Sequence, residues 1–377
     1  MTSKKTIDEY FMSRALSLAW RGVDGASPNP RVGCVLTKDG RVIGEGYHER
    51  RGEAHAEVNA LNDAKARGED IRDATAYVTL EPCSHFGRTP PCAPRLAESG
   101  VSRVVVGSLD PNPKVSGAGI EILRGAGLEI AMPCKEKECK WLNRGFFRSF
   151  ALHRPWVTLK AAAGLDGRMA LYNGVSNWIT GDVARDWAHL MRAEHDGILV
   201  GAGTIRKDNP RLTTRRVCGH SPTRVVLDSH LSIAPGVAPV SYDVLGEGCI
   251  VMTTEQKHLA ERRKSIEETG AEVVALPANS ESDRIDLSLV MAELYAREVR
   301  SVMVEGGPKI LSSFIKEELC DSLALFSAAS VMGEGPGLGD GFSLETMNDV
   351  VRLRDVRVRR AGGDILTEGV FQCSPVL

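Results

Sequence analysis

His55-Ala56-Glu57 is followed at a distance by Pro82-Cys83 and then, after eight intervening residues, by Cys92. One histidine and two cysteines form a three-ligand set for Zn²⁺ that leaves the fourth tetrahedral position open to water, the catalytic arrangement. Zinc lowers the pKa of bound water to about 7, so hydroxide is available near neutrality. Glu57 lies two residues after His55, and on a regular helix that spacing points side chains to opposite faces. Both reach one site only where a helix starts. There Glu57 can shuttle a proton between water and substrate without ligating the metal. Cys92 precedes a predicted helix, Ala93–Ser99, whose N-terminal dipole favours the thiolate.

The elements that must hold these residues alternate between helical and strand patterns. Phe11, Met12, Ala15, Leu16, Ala19 and Trp20 recur at helical intervals over 8–20. Arg31–Leu36 and Arg41–Tyr47 flank the turn Lys38-Asp39-Gly40 and predict a hairpin. A helix over Ala54–Arg67 stops near Gly68. A strand Ala76–Leu80, a Pro/Gly/Cys loop, a helix to Gly100 and a strand Val101–Gly107 follow. This alternation predicts a three-layer α/β domain.

A boundary is expected at 145–155, giving domains 1–150 and 151–377. From Trp156–Ala161 the pattern restarts, with short buried strands at Gly197–Val200, Thr223–Leu227, Ile250–Met252 and Ser301–Glu305. Val331–Gly341 is glycine-dense and reads as a loop. Arg352, Arg354, Arg357, Arg359 and Arg360 alternate with Val351, Leu353, Val356 and Val358, with a phase slip at Asp355. That pattern predicts a strand with one buried face, one basic face and a bulge.

The 377 residues are 42% hydrophobic with a formal net charge of −2. Such a chain builds real cores and lacks the basic footprint of a protein that wraps nucleic acid or sits on an anionic membrane. Aromatics at 5% argue against serial base-stacking platforms. The uncharged stretch Ser322–Gly333 is too short to span a bilayer, which needs about 20 apolar residues. The opening MTSKKTIDEYF has no apolar segment behind its lysines, so a cytoplasmic location is expected. Nine scattered cysteines argue against a disulfide framework.

Zinc deaminases of nucleobases carry H-x-E and P-C-x-x-C. This chain has the first motif and a longer gap in the second. HAEVNAL and TLEPCSHFGRTPPC, with PNPRVG upstream and DPNP at 110–113, resemble the deaminase half of the bifunctional riboflavin-biosynthesis family, which inserts residues between its cysteines in the same way. The resemblance implies a cytidine-deaminase-like fold, with His55, Cys83 and Cys92 as zinc ligands and Glu57 as the proton shuttle. It also implies that Asn29, in Pro28-Asn29-Pro30, helps hold the pyrimidine.

The second half has no G-x-G-x-x-G; in Gly201-Ala202-Gly203-Thr204-Ile205-Arg206, Arg206 stands where the last glycine belongs, which disfavours a Rossmann domain. Glu305-Gly306-Gly307 lies between the strand Ser301–Val304 and a predicted helix Lys309–Glu318, where two glycines let the backbone approach a phosphate. LKAAAGLDGRMA (159–170), SNWITG (176–181), RAEHDGILVGAGTIRKDNPRLTTR (192–215), VVLDS (225–229) and VEGG (304–307) resemble the reductase half of the same family. That half has a dihydrofolate-reductase-like fold and uses NADPH.

By this resemblance Ala162, Trp178, Thr204, Asp208, Ser229 and Gly307 match cofactor-binding positions. Ser176, Arg192, Leu212, Arg215 and Glu305 match substrate-binding positions. The guanidinium forks of Arg192 and Arg215 suit a ribose 5-phosphate. Lys160 and Asp166 fall in the same stretches without an assigned role. Asn209 stands where the family usually has a second acid, and Ser327–Gly333 lacks its Ala-Pro pair.

The resemblance covers nearly the whole chain. It implies a zinc- and NADPH-dependent homo-oligomer that acts on phosphoribosylated pyrimidines, first deaminating the ring and then reducing ribosyl to ribityl. Two other readings are open. One is a nucleic-acid-editing deaminase with an appended domain; the other is a regulatory binding protein with a degenerate reductase pocket.

Overall fold

The computed structural model describes residues 3–377 apart from 87–89, 114, 238–239 and 280–282. Gly87, Arg88 and Thr89 of the cysteine motif therefore lie outside the described residues. The chain divides into two compact units, 1–153 and Arg154–Val376.

The first unit opens with α1 (Lys4–Ala19), β1 (Gly33–Lys38), β2 (Arg41–Tyr47), α2 (Ala56–Ala66) and β3 (Thr75–Val78). It continues with α3 (Cys92–Glu98), β4 (Arg103–Val106), α4 (Ala118–Gly125), β5 (Glu129–Ala131), α5 (Glu136–Leu142) and α6 (Arg144–Leu152). The sheet order is β2-β1-β3-β4-β5. β1 is antiparallel to both neighbours, and β3, β4 and β5 run parallel.

Successive strand side chains point to opposite faces. Leu36, Val78 and Val104 pack with Ala60, Leu96 and Leu123 from α2, α3 and α4. Val35, Tyr77 and Val105 pack with Met12 and Ala15 of α1 and with Cys139 of α5. Both faces are covered, which gives the three layers expected from the alternation of elements. Gly46 lets α2 lie directly on β2: a Cβ there would come within 2.4 Å of the Ala56 carbonyl oxygen.

The second unit contains β6 (Trp156–Ala163), α7 (Asp182–Glu194), β7 (Gly197–Gly201), α8 (Ala202–Asp208) and β8 (Thr223–Leu227). Next come β9 (Cys249–Thr254), α9 (Ala260–Glu267), β10 (Glu272–Leu276), α10 (Leu287–Ala296) and β11 (Ser301–Val304). α11 (Pro308–Lys316), β12 (Ser322–Ser327), β13 (Leu353–Ala361) and β14 (Asp364–Phe371) complete it. The sheet order is β10-β9-β8-β7-β11-β6-β12-β14-β13. From β10 to β12 all neighbours are parallel, and β14 and β13 add an antiparallel edge. Leu159, Leu199 and Val302 pack beneath α10 and α11, while Ile198, Val200 and Met303 face the opposite core.

The predicted bulge is present in β13, where register slips between Arg354 and Arg357 and Asp355 has φ of 51°. The expected buried face is absent. β13 is the edge strand, and Val356 and Val358 are 52% and 64% exposed. Period-two alternation decides which side chains share a face, not whether another layer covers it. Arg354 donates to the carbonyls of Phe371 and Ser374, and Arg359 pairs with Glu368 while lying over Trp187.

Candidate active sites

His55 is the N-cap of α2 with an extended backbone (φ −74°, ψ 167°), and Glu57 is the second residue of the helix. This break in helical periodicity lets both side chains reach one cavity. Cys83 follows β3, and Cys92 opens α3. The Ala93 amide donates to the Cys83 carbonyl (3.1 Å) and the Cys92 amide to Cys83 Sγ (3.3 Å), so the two cysteines are held as a unit.

His55 Nδ1 lies 3.6 Å from Cys83 Sγ and 3.4 Å from Cys92 Sγ. The three ligand atoms all fall within 4.8 Å of one another. Zn–S bonds of about 2.3 Å and a Zn–N bond of about 2.0 Å, at a tetrahedral angle, require an N···S separation of about 3.6 Å. The donor set fits zinc.

Glu57 is 4% exposed, and burial raises its carboxyl to about 7, helped by the negative charge on Cys83. A hydrogen bond from the Cys92 thiol, then one from His55, outweigh the burial of Cys83 and hold its thiol well below the usual thiol range. Cys92 keeps the proton of the pair and moves the other way.

The surrounding cavity, about 310 Å³, is lined by Asn29, His48, Glu57, Asp110, Asn112 and Phe146, among others. His48 Nδ1 is 3.2 Å from the Ala54 carbonyl, which can only accept, so the ring proton sits on Nδ1. Nε2 then accepts from the Asn29 amide nitrogen at 3.2 Å, leaving Asn29 Oδ1 as an acceptor. His48, Asp110, Asn112 and Phe146 escaped the sequence reading as site residues. The DPNP motif carried Asp110 and Asn112 without a role, and nothing local marks His48 or Phe146.

In the second unit, Ala162, Thr204, Ser229 and Gly307 lie in or just beyond β6, β7, β8 and β11, and these four strands are adjacent. Open parallel sheets bind ligands outside the carboxyl ends of their strands. A Cβ at Gly201, Gly203 or Gly307 would meet nothing within 4 Å, so the backbone borders open space. Gly306 has φ of 134°, and a Cβ there would stand 2.9 Å from Thr204 Oγ1, so the two strand-to-helix turns pack against each other. This cradle fits a dinucleotide pyrophosphate. Pro308, first in α11, removes one amide from that helix start.

Trp178 is exposed, with the Arg185 guanidinium 4.3 Å from its ring centroid. Asp208 is exposed at the end of α8. Asn209, the departure from the family pattern, C-caps α8 at φ 39° and accepts the Asp243 amide at 2.8 Å. Asparagine tolerates that left-handed conformation better than most residues.

Arg192 does not stand as an open fork. Its Nε and Nη2 donate to Glu305 Oε1 and Oε2, each at 2.9 Å, and Nη1 donates to the Thr213 carbonyl at 3.2 Å. Burial works to raise Glu305, but Arg192 and Lys160 prevail and hold its carboxyl at about 2. Burial lowers the Lys160 ammonium, against the pull of Glu305. Arg215 is exposed, and its amide donates to His189 Nδ1 at 3.3 Å.

Ser176 is half-buried ahead of α7. Leu212 has φ of 55° and a side chain buried in the core, so only its backbone is available to a ligand. Asp166 accepts the amides of Met332 and Gly333, both at 2.8 Å, and so ties its turn to the glycine loop.

Fold and sites together define a zinc deaminase domain followed by a dihydrofolate-reductase-like, NADPH-dependent reductase domain. Residues 5–108 match the cytidine and deoxycytidylate deaminase zinc-binding region, and residues 155–367 match the RibD C-terminal domain. The riboflavin biosynthesis protein RibD of Aquifex aeolicus is 41% identical over 96% of this chain and 98% of its own length. The Escherichia coli RibD is 37% identical over 95% and 98%. The solved deaminase/reductase of Thermotoga maritima superposes with a TM-score of 0.85 at 37% identity, covering 98% of this chain and all of that one. The chain belongs to the RibD family, the bifunctional deaminases and reductases of riboflavin biosynthesis.

Proposed function

We propose that His55, Cys83 and Cys92 hold the zinc ion, that Glu57 moves the protons of deamination, and that the division of labour falls at residue 150. What carries the reading is the tetrahedral N···S spacing of the three ligands with a buried carboxyl beside them. In such a set zinc acidifies water to a pKa of about 7. Glu57, buried beside the ligand set, is placed to accept a proton from water and return it to the departing amine. Asn29, oriented by His48, accepts a hydrogen bond from the pyrimidine. Hydrolysis of the exocyclic C–N bond consumes water and releases ammonia, leaving the ring intact.

In the second unit the turns at Gly201–Thr204 and Glu305–Gly307 hold NADPH, with Ala162, Trp178, Asp208 and Ser229 bordering it. The chemistry NADPH supplies is a hydride. Arg215 meets the ribose phosphate. Ser176, the Leu212 backbone and the Arg192–Glu305 pair orient the ribosyl group whose carbon is reduced.

Following ammonia release and NADPH oxidation in one preparation supplied with the phosphoribosylated diaminopyrimidinone tests this reading. Ammonia should form without NADPH, and NADPH should then be consumed by the product. Salt-dependent RNA binding with no ammonia from the small molecule would favour the editing alternative.

Among the described residues no helix is long and apolar enough to cross a membrane, and we place the enzyme in the cytoplasm. The exposed Val356 and Val358 of an edge strand support self-association, which light scattering measures.

A further inference from the structure

Glu81 precedes Pro82-Cys83, is 3% exposed and borders the deamination cavity, yet it is not among the metal ligands or the proton carriers. Its carboxylate is spent on main-chain amides. Oε2 accepts from Asp110 at 3.2 Å and from Gly117 at 3.0 Å. Oε1 accepts from Gly119 at 3.0 Å and from Ile120 at 3.4 Å. The Glu81 amide donates in turn to the Ser108 carbonyl at 2.9 Å.

One buried side chain thus joins the strand end that carries a zinc-ligand cysteine to both ends of the 110–117 connection and to the start of α4. The fit is tight. Gly117 has φ of 83°, and a Cβ on Gly119 would lie 2.0 Å from the Pro82 carbonyl oxygen. Asp110 and Asn112, both cavity-lining, sit on the connection that this carboxylate anchors.

We propose that Glu81 is a positioning residue for deamination: it fixes the 110–117 connection so that Asp110 and Asn112 meet the polar groups of the pyrimidine substrate. The inference rests on the reading of this cavity as the deaminase site. A buried carboxylate receiving several amides is well suited to the task, because each charge-assisted bond is short and directional. Glutamine keeps the size but turns one oxygen into an NH₂ donor that confronts amide donors.

The test uses full-length, zinc-loaded Glu81→Gln. Metal content and NADPH oxidation with the deaminated intermediate should match the parent. The KM for deamination should rise at least tenfold while kcat falls less than threefold. Adding Glu81→Gln to Asn112→Ala should worsen KM by less than threefold, because residues acting through one another are non-additive. Deuterium exchange of the parent adds a readout that needs no variant: the Gly117 and Gly119 amides should be protected.

An unchanged KM, fully multiplicative effects, or zinc loss in step with activity would overturn the assignment, as would fast exchange at both glycines. Glu57→Gln serves as the control. If that variant deaminates normally, the cavity reading fails; if it is dead while Glu81→Gln keeps its KM, the Glu81 inference alone fails.

Discussion

Arg192 and Glu305 meet fork to fork, 2.9 Å on each arm, with both side chains 12% exposed. Two positions that separately suggest phosphate and sugar contacts are thus one buried ion pair, with Lys160 acting on the same carboxylate. Breaking such a pair by removing one partner leaves a charge without compensation and costs about 3–5 kcal/mol. Glu305→Gln should therefore lower reductase-unit stability by that order, impair NADPH oxidation and spare ammonia release. Equal reduction rates in variant and parent would remove Glu305 from the reductase site.

The same pair sets a pH dependence. Glu305 is held at about 2, below the 4.5 of an unperturbed glutamate, so its stabilisation is complete above about pH 4.5. It is lost as pH falls from there toward 2, by about 3 kcal/mol at 1.36 kcal/mol per unit. Acid denaturation of the parent should be steeper over this range than that of Glu305→Gln. Parallel curves would show that Glu305 does not contribute.

Arg192→Lys keeps the charge but replaces a planar fork with a point ammonium, which cannot serve both Glu305 oxygens and the Thr213 carbonyl in the same geometry. Its kcat/KM for reduction of the phosphorylated intermediate should drop at least about tenfold, or about 1.4 kcal/mol. Deamination kinetics should not move. A reductase indifferent to the change would show that the bidentate geometry is unimportant.

Glu57→Gln preserves shape and leaves the three metal ligands intact. Zinc content should be unchanged while deamination falls by about 10²–10⁴, the scale of general acid–base catalysis. Near-normal ammonia release from a metal-replete variant would exclude Glu57 as the proton carrier.

Cys92→Ser, or chelation of the parent, should abolish deamination and leave NADPH oxidation with the deaminated intermediate near the parent rate. Each unit buries its own core, which makes this independence the expected behaviour. Loss of both activities in a folded Cys92→Ser protein would mean that the two chemistries are coupled.

That His55 and Glu57 share one cavity was legible in the chain because its information is local. A two-residue spacing from His55 to Glu57 demands a helix start, and α2 begins there. The three layers of the first unit and the bulge at Asp355 were legible for the same reason, since apolar period and phase are properties of neighbouring residues. β12 was not: Ser322–Ser327 is a buried strand whose uninterrupted apolar run carries no alternation to read.

What folding alone decided depends on partners far apart in the chain. Arg192 and Glu305 are 113 positions apart, and only the insertion of β11 between β6 and β7 brings the glutamate under α7's last turn. His48 and Phe146 enter the deamination cavity from separate elements with no motif of their own. Val356 and Val358 carry the pattern of a buried face but stand at a sheet edge with no layer over them. Residue type and spacing set what a side chain can do. Whether it meets a counter-charge, a ligand or water is set by packing, and packing is a property of the whole sheet.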